Sequence, residues 1–427
     1  MRVGIVGAGW AGLAAAVTAS QAGHSVTLFE MAPQVGGRAR QALGPLAQGL
    51  TFDNGQHLLI GAYSETQRLM KLVGVNLDDA LWRTPLHLVD AAGQGLKLPP
   101  GHPALSFMRG VWAHSHWRMG ERISLLKHAA LWRWHGFHCA ELVTVGELAH
   151  ALPERVRLEL IEPLCVAALN TPAHEASGRV FLRVLRDALL NGPGSADLLF
   201  PRQSLSALWP QPAVAWLQSR GAQIHLQRRV RDLSAGAGHW LIDNEPFEQV
   251  ILACTPNEAG RLCQDIAPAW AQQAQALRFE PIATVYARSP GTRLPTAMVR
   301  MDSDEHERPA QFVLDHGHWG GSEGFLAFVV SGAASWAQRG HEALEEATLK
   351  QATQALSPVL KAPIQILQTL VDKRATFRCT ANLPRPARQI AAGLQAAGDY
   401  VDGPYPATLE GAMQSGVRAA KGLAPLP

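Results

Sequence analysis

Gly7, Gly9 and Gly12 in "RVGIVGAGWAGLAAAVTASQAGHSVTLFE" stand at GxGxxG spacing, and an acid, Glu30, follows roughly 18 residues after the last glycine. Residues of these types at this spacing grip a dinucleotide. Glycine at 7 permits a tight turn, glycine at 9 lets the backbone approach a pyrophosphate, and glycine at 12 lets a helix sit close on a sheet. Free amides at the helix start, at Trp10 and Ala11, carry about half a unit of positive charge and face the phosphates. Glu30 is placed to accept hydrogen bonds from a ribose diol. Such a grip needs an apolar strand over residues 3–6, a small-residue helix to about residue 22, and a second strand over 25–30. The motif alone leaves NAD and FAD both open.

The next residues, "APQVGGRAR", set Gly36, Gly37 and Arg38 directly after the second strand. Further stretches of the same kind are "DNGQHLLIGAY" within 50–63, "ALNTP" at 168–172, "DKRATF" at 372–377 and "GDYVDGPYPATLEGAMQSG" from 398. With these motifs the chain resembles the flavin-containing amine oxidase and phytoene desaturase superfamily. Within that superfamily it is most similar to the hydroxysqualene dehydroxylases, also called squalene-associated FAD-dependent desaturases.

The resemblance implies FAD as cofactor and an α/β fold: a Rossmann-like FAD-binding domain of the GR2 flavoprotein type, interwoven with a mixed α+β substrate domain. It places Gly37 and Arg38 near the pyrophosphate, and Val230 at the adenine through its backbone. Gly55, Gln56 and His57 would line the reaction face. Asp399 would meet the ribityl or pyrophosphate region, and the amides near Leu409 would point at the pyrimidine end of the ring. The implied reaction removes the hydroxyl of hydroxysqualene and replaces it with hydride, giving squalene for hopanoid synthesis. A proton donor is then required, with His57 the first candidate, Asp53 the next and Arg374 an orienting group. Taken alone, His57 reads more readily as a hydrogen-bonded loop histidine, and Arg374 as one arm of a salt bridge behind the site.

The elements that must position these groups alternate along the chain. Two short strands are expected around Gly93 and Gly95, helices from about 104 to 190, strands near 222–253, a strand-rich stretch over 277–335 and a helix over 336–356. A discontinuous weave follows: FAD-binding parts at 1–75, 216–275 and 376–427, and substrate-domain parts at 76–215 and 276–375. A second GxG, Gly236 and Gly238 in "SAGAGHWLID", precedes residues that read as a strand, so it is a hairpin turn. If NAD(P)H or a reductase is the external electron donor, it has no dedicated fold here.

Nearly half of the 427 residues (47%) are apolar and 17% are charged, which suits a long greasy tunnel, and two domains are expected from the length. A net charge of +3 gives no argument for nucleic acid. Five cysteines without CxxC spacing indicate neither a disulfide framework nor zinc. No apolar run reaches the ~18 residues of a spanning helix, and the expected location is the cytoplasm. Residues 105–137 carry Trp112, Trp117, Trp132 and Trp134 among Arg109, Arg118, Arg122, Lys127 and Arg133. Tryptophan beside cations suits the lipid headgroup boundary, so this segment offers a peripheral contact to the inner face of the cell membrane. It equally suits a substrate-domain helix pair with a basic face. Its histidines lack carboxylate or cysteine partners at ligand spacing, so no metal is expected.

Three competing functions remain open from the residues. A carotenoid or other polyprenoid desaturase would use the same tunnel. An amine oxidase is disfavoured because Thr408 stands where many of those enzymes carry a cage aromatic, and because the chain has four tyrosines in all. A flavin-bound lipid carrier would need no proton donor.

Overall fold

A computed structural model describes residues 1–42 and 52–423. Leu50 and Thr51, and the end of the 376–427 segment at 424–427, lie outside the described residues.

Strands Arg2–Val6 and Ser25–Phe29 are apolar at nearly every position, and both faces are covered, as parallel strands require. They occupy the centre of a six-stranded sheet. Its order is Gln389–Ala391, Leu394–Ala396, Gln249–Leu252, Arg2–Val6, Ser25–Phe29, Gln223–His225. Val3 faces Gln249 on one side and Val26 on the other, and pairing is parallel except at the Gln389–Ala391 edge. Three separated stretches of chain therefore build one nucleotide-type sheet.

The helix Trp10–Gln21 runs over this sheet with its small residues buried. Its closeness is decided by two glycines. A Cβ on Gly12 would fall 1.9 Å from the Gly7 carbonyl oxygen, and one on Gly416 would fall 2.1 Å from that of Ala11. The last helix, Leu409–Lys421, can therefore lie backbone to backbone against the first. Helix Pro210–Gln218 packs on the same helix, with Ala213 and Leu217 buried beside Leu13 and Val17. The return to the nucleotide domain thus falls near residue 205 instead of 216, because the amphipathic 205–218 stretch is the cover for that small-residue helix.

The second layer system is a seven-stranded sheet. Its order is Gln365–Phe377, Phe279–Arg288, Phe325–Ser331, Phe312–Asp315, Met298–Arg300, His87–Val89, Gly95–Lys97. The early hairpin at 87–97 joins strands drawn from 279–377 through the Val299–Val89 bridge. The 81–100 region forms three strands where two were expected, since Leu81–Thr84 turns away to pair with Leu198–Pro201. Leu59–Ile60 pairs with that same strand, so the expected division at 75/76 is bridged by a small sheet.

Helices Pro103–Ala113, Met119–Trp134, Glu162–Leu169 and Gly178–Leu190 form the helical part. Asn170, left-handed at φ 45°, ends one of them and pins it: its Nδ2 donates to Thr376 Oγ1 at 2.8 Å, and its Oδ1 accepts from Gly332 N at 2.9 Å. Residues 233–247 form an antiparallel meander, with Gly236 and Gly238 in its first turn.

Candidate functional site

Between the two sheets lies a cavity of about 710 Å³. One end is the glycine turn. Gly7 has φ +106°, and a Cβ there would fall 2.6 Å from the Ala253 carbonyl oxygen, so only glycine makes this turn. A Cβ on Gly9 would meet nothing nearer than Gly37 Cα at 3.8 Å, which leaves open space beside the first turn of the helix. Gly37, at φ +61°, closes against Gly9 from the opposite side. The amides of Trp10, Ala11 and Gly12 begin the helix and have no intrahelical partner.

Glu30 is 8% exposed and lines the same end. Its Oε2 accepts from Ala8 N at 2.7 Å and its Oε1 from Ala32 N at 2.8 Å, so the carboxylate is fixed before any ribose arrives. Each oxygen keeps a second lone pair for a diol. Val230 lies in the wall here, its carbonyl accepting from Arg261 Nη2 at 2.7 Å.

The middle of the cavity is crossed by an ion pair between Arg38 and Asp399. Arg38 also donates from Nη1 to the Ala375 carbonyl at 2.7 Å. Both groups were expected to meet the cofactor; they line the cavity, and they hold each other as well. Tyr400 beside them is 2% exposed, and its hydroxyl has no hydrogen-bond partner among the described residues.

The far end is the start of the last helix. Thr408 caps it, its Oγ1 accepting from Gly411 N at 2.9 Å, and Leu409 begins it on the cavity wall. Gly55, Gln56 and His57 also line the cavity. Gln56 donates to Tyr286 Oη at 3.0 Å, and Tyr286 donates in turn to the Asp53 carbonyl at 2.9 Å. An open glycine ledge, two helix starts and an orphaned buried hydroxyl along one cavity fit an extended dinucleotide.

The three expected proton-handling residues do not assemble. His57 reaches the cavity, but burial lowers its pKa, and its Nδ1 lies 3.0 Å from the Gly55 carbonyl. Burial therefore disfavours the charged ring, and Nδ1 is engaged at that carbonyl. Asp53 sits behind the wall, accepting from Leu205 N at 3.0 Å, where burial pushes its pKa up to about 6. Arg374 is exposed and outside the cavity wall, in a stretch where the ladder register shifts between Asp372 and Thr376 and the strict alternation of faces breaks. Its neighbour Asp372 is the one turned inward.

Sequence reasoning passed over Asp372, Asp187, Tyr63 and Tyr405, all of which line the cavity. Four tyrosines argued for a poor supply of rings, yet Tyr63, Tyr400 and Tyr405 line the cavity and Tyr286 holds Gln56. Count says nothing about placement. The only available signal was the position of Tyr400 and Tyr405 inside the C-terminal motif.

Beyond the helix start the walls turn apolar, with Leu88, Leu98, Phe107, Leu125, Trp132 and Leu164 among the lining. Among the described residues no group of histidines, cysteines or carboxylates could hold a metal ion.

A parallel dinucleotide sheet whose grooved edge opens into an apolar chamber under a second sheet defines a flavin-dependent oxidoreductase. The chain belongs to the flavin containing amine oxidoreductase family, whose model matches residues 10–424. It is 27% identical to a hydroxysqualene dehydroxylase of Rhodopseudomonas palustris, covering 98% of this chain and 97% of that one. It is 26% identical to the hydroxysqualene dehydroxylase of Sinorhizobium fredii, at the same coverage. In fold it is similar to the crystal structure of an oxidoreductase from Methanosarcina mazei, with a TM-score of 0.74 at 15% identity over 99% of this chain and 100% of the other.

Proposed function

We propose that this protein carries out the FAD-dependent reductive dehydroxylation of hydroxysqualene to squalene. The observation that carries the reading is the continuity of the cavity: a ledge for a dinucleotide opens directly into a chamber walled by leucines and aromatics. Full-length similarity to two dehydroxylases supports the same substrate class.

When bound, reduced FAD supplies the hydride that replaces the lost hydroxyl. The chain's part is to bind, orient and keep dry. Glu30 and the two helix starts fix the ends of the dinucleotide, and Arg38 with Asp399 fixes its middle. The free amides at Leu409 favour negative charge on whatever lies against them. Buried leucines and aromatics exclude bulk water, which would otherwise capture an allylic cation.

The substrate reaches this chamber from lipid. Helices Pro103–Ala113 and Met119–Trp134 turn Phe107, Leu125 and Trp132 into the cavity, while Leu105, Met108, Trp112, Met119 and Trp134 are half or more exposed on their outer side. Arg109, Arg118 and Arg133 flank that apolar face and can pair with phosphates of the inner leaflet. No helix among the described residues is long and apolar enough to cross a membrane, so the contact is peripheral.

The test is an anaerobic single turnover. Fully reduced holoprotein mixed with hydroxysqualene yields squalene, identified by mass spectrometry of the extracted lipid, with stoichiometric oxidation of the flavin. No squalene from fully reduced protein sinks the reading. Bleaching of the oxidised flavin by a more saturated polyprenoid would replace it with desaturation.

A further inference from the structure

One polar cluster faces the apolar chamber without a part in holding the dinucleotide. Asp187 lies on helix Gly178–Leu190 among Val184, Leu185 and Ala188 of the cavity wall, and is 3% exposed. Its carboxylate accepts from Arg183 Nε at 2.6 Å, from Arg186 Nε at 3.1 Å and from the hydroxyl of Tyr405. The Arg183 guanidinium also stands over the Tyr405 ring, 5.2 Å from its centroid.

Tyr405 is held at both ends. Its carbonyl accepts from Thr408 Oγ1 at 3.0 Å, and a Cβ on Gly411 would fall 1.8 Å from that same oxygen, so its backbone is set against the first turn of the last helix. Its hydroxyl is aimed by Asp187 from the facing helix. A tyrosine hydroxyl donates once and accepts through lone pairs. Here the proton is committed to a carboxylate that also accepts from two arginines, and burial together with that carboxylate raises the Tyr405 pKa to about 12. The phenol oxygen on the chamber wall is therefore a polarised acceptor with its donor already used.

A chamber meant for a plain hydrocarbon has no use for such a group. Burying the Asp187 carboxylate beside leucines is costly unless it is paired, as it is here with two part-exposed arginines and a phenol, and an apolar pair at 187 and 405 would spare that cost. An acceptor at the chamber wall pairs with one thing that an oxygenated polyprenoid has and a hydrocarbon lacks, a hydroxyl proton. We propose that Tyr405, aimed by Asp187, accepts a hydrogen bond from the substrate's hydroxyl and is the residue by which this protein selects an alcohol over the corresponding hydrocarbon. The assignment rests on the dehydroxylase reading. It also makes product release favourable, since the product no longer has the group that Tyr405 holds.

Binding to oxidised holoprotein tests this without turnover. Hydroxysqualene and squalene are titrated separately, with flavin absorbance as the signal, into wild type, Tyr405→Phe and Asp187→Asn, all checked for flavin content and melting temperature. Wild type prefers the alcohol by on the order of 10- to 100-fold. Tyr405→Phe brings the two lipids within about threefold by weakening the alcohol alone, and Asp187→Asn, which loosens the aim, falls between. Preference retained in Tyr405→Phe overturns the assignment and leaves the dehydroxylase reading standing. Equal weakening of both lipids overturns it too, by making Tyr405 a structural residue. Wild type that does not distinguish the lipids removes the substrate reading and this assignment with it.

Discussion

Arg38 Nη2 stands 2.5 Å from Asp399 Oδ1, an ion pair between residues 361 positions apart that closes the middle of the cavity. The carboxylate is 7% exposed, so it depends on that guanidinium. Arg38→Ala leaves a buried charge without a partner, at a cost of about 3–5 kcal/mol. The expected result is a lower melting temperature together with at least tenfold weaker retention of flavin after gel filtration. Lysine, which cannot reach Asp399 and the Ala375 carbonyl with one fork, restores only part of both.

Glu410 is fully buried at the start of the last helix and serves the fold. It accepts from Glu65 N at 3.0 Å, Thr66 N at 2.9 Å, Thr66 Oγ1 at 2.7 Å and Gln414 Nε2 at 2.8 Å. Glu410→Ala strands these donors and lowers stability by about 3–5 kcal/mol in denaturant titration, whereas Glu410→Gln loses less because it still accepts through one oxygen.

Stability against pH should show two opposed limbs. Asp53 has its pKa raised from an ordinary 3.8 to about 6, mainly by burial. The folded state therefore holds a proton that the unfolded chain has released. Its contribution, on the order of 3 kcal/mol, is present below about pH 4 and is lost as pH rises through 6. Asp53→Asn removes that decline.

His316 has its pKa lowered from 6.5 to about 3 by burial against Trp319 and Phe325. Here the unfolded chain takes up the proton, so the contribution is present above pH 6.5 and is lost as pH falls toward 3. His316→Phe fits the same aromatic set and flattens the acid limb. Urea midpoints across pH 4 to 8 separate the two effects, and unchanged slopes in both variants would show that neither group titrates as described.

The four tryptophans of 105–137 divide into two kinds. Trp117, 2% exposed, stacks on His114 and donates to Glu159 Oε2 at 2.7 Å, and Trp132 is 9% exposed. Trp112 and Trp134 are 54% and 86% exposed. Replacing Trp112 and Trp134 by serine should cut co-sedimentation with anionic liposomes about tenfold at unchanged melting temperature. Trp117→Ala should instead cost about 3–5 kcal/mol of stability. Lipid binding untouched by the first pair would place the membrane contact elsewhere.

Arg122 shows why sequence could not sort that segment. Its charge suggested a headgroup contact, yet its guanidinium donates to the carbonyls of Trp112, His114 and Trp117 and fastens one helix to the other. Helical period gives which residues share a face, and only the neighbours decide whether that face meets protein or lipid. The nucleotide grip was legible for the opposite reason. Gly7, Gly9 and Gly12 fall within one strand-to-helix turn, and Glu30 ends the adjacent parallel strand and accepts from Ala8 N, so spacing along one strand–helix–strand unit carries the geometry.

The sequence by itself determined the glycine turn, the α/β fold class and the flavoprotein family, because these depend on backbone conformation, strand pattern and local motif. Tertiary structure decided which groups face the cavity and how each is held there. Burial lowered the pKa of His57 and tied its ring to the Gly55 carbonyl, while Asp53 went behind the wall and Arg374 to the surface. Asp187 and Tyr405, 218 residues apart, were brought to one oxygen-to-oxygen contact. Such a pairing is set by how helix Gly178–Leu190 meets the loop before the last helix, from a different part of the chain, and no spacing along the chain encodes it.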